Sequence, residues 1–178
     1  MDLSDKKIAI LVHNYFEEIE LTGPREELMR LGAVTHIIAP KSGVVQGMHH
    51  VDKAREFSVN HTLDEVDFDD YDALVIPGGV INSDHLRMEM RAREWINVMI
   101  NSSKPVAVIC HGPWLLVSAG AAKGRTLTSY PTLQDDIRNA GGTWVDQAVV
   151  VDGLVITSRK PDDIPAFNAA LIDALQTT

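Results

Sequence analysis

The sequence predicts an α/β protein with a mostly parallel central sheet, on three observations. Its apolar runs are short and continuous, as in Ile8–Val12, Ala73–Ile76 and Val106–Ile109, which marks strands buried on both faces. Longer amphipathic segments separate these runs, the alternation that builds a parallel sheet covered by helices. Glycine and proline then close the runs, most plainly at Pro77-Gly78-Gly79 and at Gly112-Pro113.

Taken in order, Ile8–Val12 is the first strand. Leu21–Leu31 follows as a helix, with Pro24 in its first turn and Gly32 ending it. Val34–Ala39 is the second strand, and Val44–Val51 with Lys53–Val59 reads as irregular or hairpin strands. Ala73–Ile76 is a central strand and Arg87–Asn101 a helix. Val106–Ile109 is the strand that runs into Cys110, and Trp114–Ala121 is the packed helix beyond it. Leu133–Ala140 is helical and Trp144–Val151 and Leu154–Ser158 are strands. Pro165–Leu175 is the terminal helix, with Pro161 and Asp162-Asp163 marking its start.

With 178 residues, 45% of them hydrophobic and 23% charged, a single domain spanning 1–178 with a substantial core is expected. The net charge of −9 and pI near 5.1 argue against nucleic-acid and anionic-membrane partners, because phosphate contacts need clustered Lys and Arg. One cysteine excludes an internal disulfide and fits a reducing compartment. No apolar stretch reaches the length of a membrane span, and Ile8–Val12 behind the polar Met1–Lys7 is too short for a signal-peptide core. The cytoplasm is the expected location.

Ligands of such sheets bind beyond the carboxyl ends of the strands, and three of those ends are chemically loaded. Ile8–Val12 leads to Glu17-Glu18-Ile19-Glu20, Ala73–Ile76 to Gly78-Gly79, and Val106–Ile109 to Cys110-His111. Neighbouring strands would bring an acid, a glycine-lined anion site and a thiol to one place. Cys110 sits at a sharp strand-to-helix turn, where a nucleophile is exposed and a helix N-terminus lowers its pKa. The backbone N–H groups of Gly79 and His111 are the candidate oxyanion donors, since glycine lets the backbone approach a ligand closely.

Among the acids, Glu18 and Glu20 are two apart and cannot share one helix face. Glu20 lies between Ile19 and Leu21, an apolar setting that would raise its pKa and let it donate a hydrogen bond to sulfur. First-turn carboxylates also simply complement the helix dipole, a reading that accounts for two of the three. No histidine follows His111, which removes a glutamine-amidotransferase triad. His49-His50 lacks a ligand cluster, and no phosphate-binding glycine fingerprint follows the first strand. No metal and no cofactor are expected.

Four motifs together resemble the ThiJ/PfpI family: Asn14 to Glu20, Leu74 to Gly79, Ile109 to Pro113, and Thr128 to Pro131. Gly141 to Asp146, Val149 to Gly153 and Thr157 to Arg159 are similar to its PfpI branch. That family includes intracellular proteases and the parkinsonism-associated deglycase. The resemblance implies a flavodoxin-like three-layer sandwich with Cys110 as the elbow nucleophile. Register from Pro24 puts the thiol-bonded glutamate of the family at Glu20, with Glu17 and Tyr130 as secondary candidates. In the protease branch, the histidine after the cysteine pairs with an acid from a neighbouring subunit. Asp84 occupies that position here, where the protease carries glutamate.

These readings imply a cysteine-dependent hydrolase that acts as a homo-oligomer, a dimer or hexamer. Its substrate would be a small-molecule carbonyl, such as an α-oxoaldehyde or a glycated adduct, or a peptide or amide bond. The non-enzymatic alternative is a redox sensor in which Cys110 oxidises to a sulfinate held by the same donors.

Overall fold

Alternation along the short strands divides their apolar side chains between two faces. In β1 (Lys7–Leu11), Ile8 and Ile10 enter one core while Ala9 and Leu11 enter the other. The same division holds in β7 (Ala73–Ile76), β8 (Val106–Ile109) and β12 (Val155–Ser158), where Val75, Ala107 and Ile156 face opposite to Leu74, Val106 and Val155. The computed structural model describes residues 2–178.

One core is closed by α1 (Glu18–Arg30) and α6 (Ile164–Thr177), which contribute Leu21, Leu28, Phe167 and Leu171. The other is closed by α3 (Met90–Asn101), α4 (Trp114–Ser118) and α5 (Gln134–Asn139), through Trp95, Ile96, Leu115 and Ile137. The result is a three-layer α/β/α sandwich. A fully buried leucine-sized side chain contributes roughly 1.5–3 kcal/mol, so these two apolar layers are the main source of stability.

The central sheet has seven strands. Adding β3 (Val34–Ala39), β6 (His61–Thr62) and β11 (Val149–Asp152), its order is β11-β12-β8-β7-β1-β3-β6. All neighbours are parallel except β11 with β12. The chain crosses from β3 to the far side of β1 before laying down β7, which creates a switch point beside β1. Two smaller sheets flank it. One joins β2 (Phe16–Glu17) to the hairpin of β4 (Val44–His49) and β5 (Asp52–Ser58), and the other pairs β9 (Thr126–Leu127) with β10 (Thr143–Trp144).

Several boundaries differ from the sequence reading for physical reasons. Helix α1 begins at Glu18, so Pro24 lies inside it rather than in its first turn. Proline has no N–H, which leaves the Glu20 carbonyl without its usual partner four residues on. The helix expected over Trp114–Ala121 stops at Ser118, where Gly120 turns left-handed (φ 73°). There the N–H groups of Ala121 and Gly120 close onto the Leu116 and Val117 carbonyls at 2.9 and 3.1 Å, a Schellman ending. The strand expected over Trp144–Val151 is two strands, since Trp144 pairs with β9 while Val149 starts the ladder with β12.

The largest difference lies between β7 and α3. A helix, α2 (Val80–Leu86), stands where the sequence reading placed no element, and α3 starts at Met90 rather than at Arg87. Asn82, Ser83 and Leu86 are buried on its inner face, and Asp84 and His85 are exposed. The N-cap of α2 is Gly79, and Ser83 and Asp84 lie within the helix.

Candidate active site

Strands β8, β7 and β1 are consecutive in the sheet, so the three loaded strand ends do converge. Cys110 follows β8 directly with φ 63°, a left-handed conformation that is rare outside glycine. Two backbone bonds hold it there. Its N–H donates to the Ser158 carbonyl at 3.0 Å, and its carbonyl accepts from the Tyr130 N–H at 2.8 Å. Gly112 is required two residues on, because a Cβ there would lie 2.6 Å from Val108 Cγ1. The elbow turns the sulfur into a cleft of about 600 Å³ that Glu17, Glu20, Gly79, His111 and Tyr130 also line.

Glu20 is fully buried and faces the thiol. Its burial comes from the turn after β7 and not from Ile19, which is exposed. Gly78 packs against both groups, since a Cβ there would approach Cys110 Cβ and Glu20 Oε2 to 2.6 Å each. The Gly78 N–H donates to Glu20 Oε2 at 2.8 Å, whereas Oε1 is buried without a protein partner. Burial pushes the Glu20 carboxyl up to about 8, against the downward pull of the Gly78 N–H and the thiol. At neutral pH it is therefore mostly a neutral acid.

The thiol itself departs from the sequence expectation. Burial, followed by the nearby charge of Glu20 when ionised, pushes Cys110 up, while the N–H groups of Gly79 and His111 pull it down. Helix α4 starts only at Trp114 and has five residues, so its dipole contributes little at the sulfur. The two groups titrate as a pair. When Glu20 holds the proton, its repulsive charge is gone and the same carboxyl can donate to a thiolate. Three donors then converge on sulfur: the Glu20 carboxyl and the N–H groups of Gly79 and His111.

His111 is placed beside the sulfur, with Nδ1 at 3.2 Å from Sγ. Its ring stacks on Tyr130 at 4.6 Å between centroids and meets Trp114 edge-on. Its Nε2 lies 3.4 Å from Thr132 Oγ1. Burial pulls His111 down to about 4, so the ring is neutral at pH 7. Asp84 makes no hydrogen bond or ion pair with His111 within the chain and lies exposed on α2.

The remaining acids brace the edge of the cleft. Glu17 accepts from the His50 N–H at 3.2 Å, and Glu18 accepts from the Arg55 N–H and Nε at 2.8 and 2.7 Å. Glu17, at the end of β2, and Glu18, at the start of α1, tie the β4–β5 hairpin to this segment, and the hairpin's tip, His50 and Val51, lines the same cleft as Cys110. Among the described residues, no three His, Cys, Asp or Glu side chains cluster as a metal site, and no helix is long and apolar enough to cross a membrane.

The DJ-1/PfpI family profile matches residues 6–174. The chain belongs to the DJ-1/PfpI family. It is 41% identical over 170 residues to the Pyrococcus furiosus deglycase PfpI, covering 96% of this chain and 99% of that one. Against the Escherichia coli protein/nucleic acid deglycase 2 it is 42% identical over 167 residues, covering 92% and 94% of the two chains. A crystal structure of an Anabaena variabilis protein with DJ-1/ThiJ/PfpI-like and ferritin-like domains superposes with a TM-score of 0.91 at 30% identity. That match covers 96% of this chain and 48% of the larger one, about half its length. The DJ-1/PfpI family thus includes deglycase-type enzymes, and the flavodoxin-like sandwich is its fold.

Two contributions to this site were not read from the sequence. The sequence reading places Gly78 in a strand-closing turn and a glycine-lined anion site, whereas it supplies the N–H on Glu20 and the close approach between acid and thiol. Asn82, which no sequence motif marks, is buried and holds the turn after β7. Of the three residues on the buried face of α2 only Leu86 is apolar, so hydrophobic periodicity gives little sign of it.

Proposed function

We propose that this protein is a cysteine-dependent hydrolase of α-oxoaldehydes and of the glycated adducts they form. The observation that carries this reading is the neutral Glu20 carboxyl buried against the elbow sulfur of Cys110. The Cys110–Glu20 pair reacts once it has released one proton to solvent: the sulfur, as thiolate beside protonated Glu20, adds to the aldehyde carbon, and the carbonyl oxygen takes the electron pair and then the Glu20 proton, giving a hemithioacetal. The Gly79 and His111 N–H groups are its candidate donors while that charge develops. Glu20, ionised after giving its proton, removes the former aldehyde carbon's hydrogen as a proton and returns it to the neighbouring carbon, while the hydroxyl proton passes to the neighbouring oxygen. The product of this internal redox shift is a thioester of a 2-hydroxy acid. Water cleaves its C–S bond, the hydroxy acid leaves and the sulfur is regenerated. A glycated amine follows the same course once the amine has departed.

Peptide cleavage is less well supported by the same geometry. An amide leaving group needs a proton from a strong enough acid, and His111 is neutral with no carboxylate partner in its own chain. A homo-oligomer that brings Asp84 of one copy to His111 of another would supply one. Exposed Val80, Ile81, Met88 and Met90 around Asp84 support self-association through that segment.

The test is a parallel assay of methylglyoxal, a glycated peptide and an unmodified peptide amide, with Cys110→Ser as control. Hydroxy-acid formation that disappears in the variant is expected, with amide cleavage weak or absent. Aldehyde turnover that survives in Cys110→Ser, or turnover confined to amides, would overturn the reading.

A further inference from the structure

Two N–H donors of the site, that of Gly78 to Glu20 and that of Gly79 beside the sulfur, sit on glycines, the residues least able to hold a peptide plane in one orientation. Something must fix them. The trans peptide is rigid, so its carbonyl and N–H point in opposite directions, and holding the carbonyl aims the N–H.

Asn82, on the first turns of α2, holds both carbonyls. Its Nδ2 donates to the Pro77 carbonyl at 3.1 Å and to the Gly78 carbonyl at 3.0 Å. The Pro77 carbonyl shares its plane with the Gly78 N–H, which donates to Glu20 Oε2 at 2.8 Å. The Gly78 carbonyl shares its plane with the Gly79 N–H, and Gly79 lines the cleft with Cys110, where its N–H pulls the thiol pKa down. The remaining group of Asn82, Oδ1, accepts from the His13 N–H at 2.6 Å, just past the end of β1. The side chain is fully buried, so water does not compete for these bonds. His13 meets α2 a second time, with its ring Nδ1 3.2 Å from His85 Nδ1, which steadies the helix that carries Asn82.

We propose that Asn82 is the positioning residue of this site, orienting in one clamp the N–H that bonds Glu20 and the Gly79 N–H beside the sulfur. It touches neither sulfur nor substrate and acts through the Pro77–Gly78 and Gly78–Gly79 peptides. The catalytic consequence rests on the hydrolase reading above, whereas the clamp itself does not.

The experiment compares Asn82→Ala, Asn82→Asp and Ser83→Ala. Ser83 is the control, equally buried on the same helix with a hydroxyl that has no hydrogen-bond partner. Aspartate keeps the shape and can still accept from His13, but it sets carboxylate oxygen against two carbonyls. The Cys110 alkylation rate with iodoacetamide is measured against pH, alongside kcat and KM for methylglyoxal and a melting curve. In Asn82→Ala and Asn82→Asp the alkylation profile should move to higher pH. Their kcat should fall about a hundredfold, the order seen for loss of one oxyanion donor, with KM little changed. Ser83→Ala should match the wild type in both readouts. Should Asn82→Ala not fold, the nearly isosteric Asn82→Asp decides. A wild-type alkylation profile in a folded Asn82 variant would overturn the proposal. Absence of methylglyoxal turnover in the wild type would reject the hydrolase reading but leave the alkylation comparison to judge the clamp.

Discussion

The stability of Glu20→Gln relative to the wild type should rise as the pH goes from about 4.5 to about 8. The folded state holds this carboxyl at about 8, against an ordinary value of 4.5, mainly because it is buried. The folded chain therefore keeps a proton that the unfolded chain releases above 4.5, and folding must take one up. Stability from this group is complete below 4.5 and is lost progressively up to about 8. At about 1.4 kcal/mol for each pH unit, the loss at pH 7 is about 3 kcal/mol. Glutamine does not titrate, so it escapes this loss, while exchanging the carboxyl for an amide adds an offset that is constant with pH. Cys110 adds no slope in this range, because its thiol is pushed upward in the folded state and stays protonated in the unfolded one. Urea unfolding of both proteins at pH 5, 6 and 7 measures the difference directly. The stability of Glu20→Gln relative to the wild type should grow by about 2 kcal/mol from pH 5 to pH 7. A difference that stays constant or shrinks over that range would show that Glu20 is not held as a neutral acid, and the proton-transfer argument would fail with it.

Three further outcomes follow from the same geometry. Methylglyoxal turnover should fall roughly a hundredfold or more in Glu20→Gln, the scale of a lost general acid or base, and stay near wild type in Glu18→Gln, whose carboxylate is engaged by Arg55. Equal losses would reject the choice of carboxylate. Gly78→Ala should abolish turnover and lower stability by about 1–3 kcal/mol in urea unfolding, as a Cβ only 2.6 Å from Cys110 Cβ and Glu20 Oε2 forces them apart. Asp84→Asn should leave stability unchanged, because Asp84 is exposed and caps no helix. Any amidase activity should drop in that variant if a second copy brings Asp84 to His111. Light scattering and a peptide-amide assay decide this, and a monomer or an unaltered rate would remove Asp84 from the site.

The central strands and their three loaded ends were legible in the sequence as continuous apolar runs closed by glycine breaks, whereas the strand order that makes those ends meet has no local signature and comes from the structure. Cys110, Glu20 and Gly79 could be picked out because elbow, acid and glycine pair each follow a strand. Helix α2 was harder to see. Its polar face carries Asp84 and His85 and its buried face carries Asn82 and Ser83, so hydrophobic periodicity is nearly absent. The sense of the Cys110 shift was also out of reach, as it depends on how deeply the sulfur is buried and on which partner holds the shared proton. Neither quantity has a sequence signature. Pro24 misled the boundary of α1 for a related reason: proline favours a first turn but is tolerated deeper when packing fixes the helix.

Covalent capture at Cys110 tests the central claim most directly. Reactions with methylglyoxal are quenched in acid within the first turnovers and the intact protein is weighed, with the modified peptide then mapped. The account predicts one substrate equivalent on Cys110 in the wild type, none in Cys110→Ser, and hydroxy acid released only where the adduct forms. Hydroxy acid produced at the wild-type rate by Cys110→Ser, or an adduct confined to lysine and arginine side chains, would contradict it.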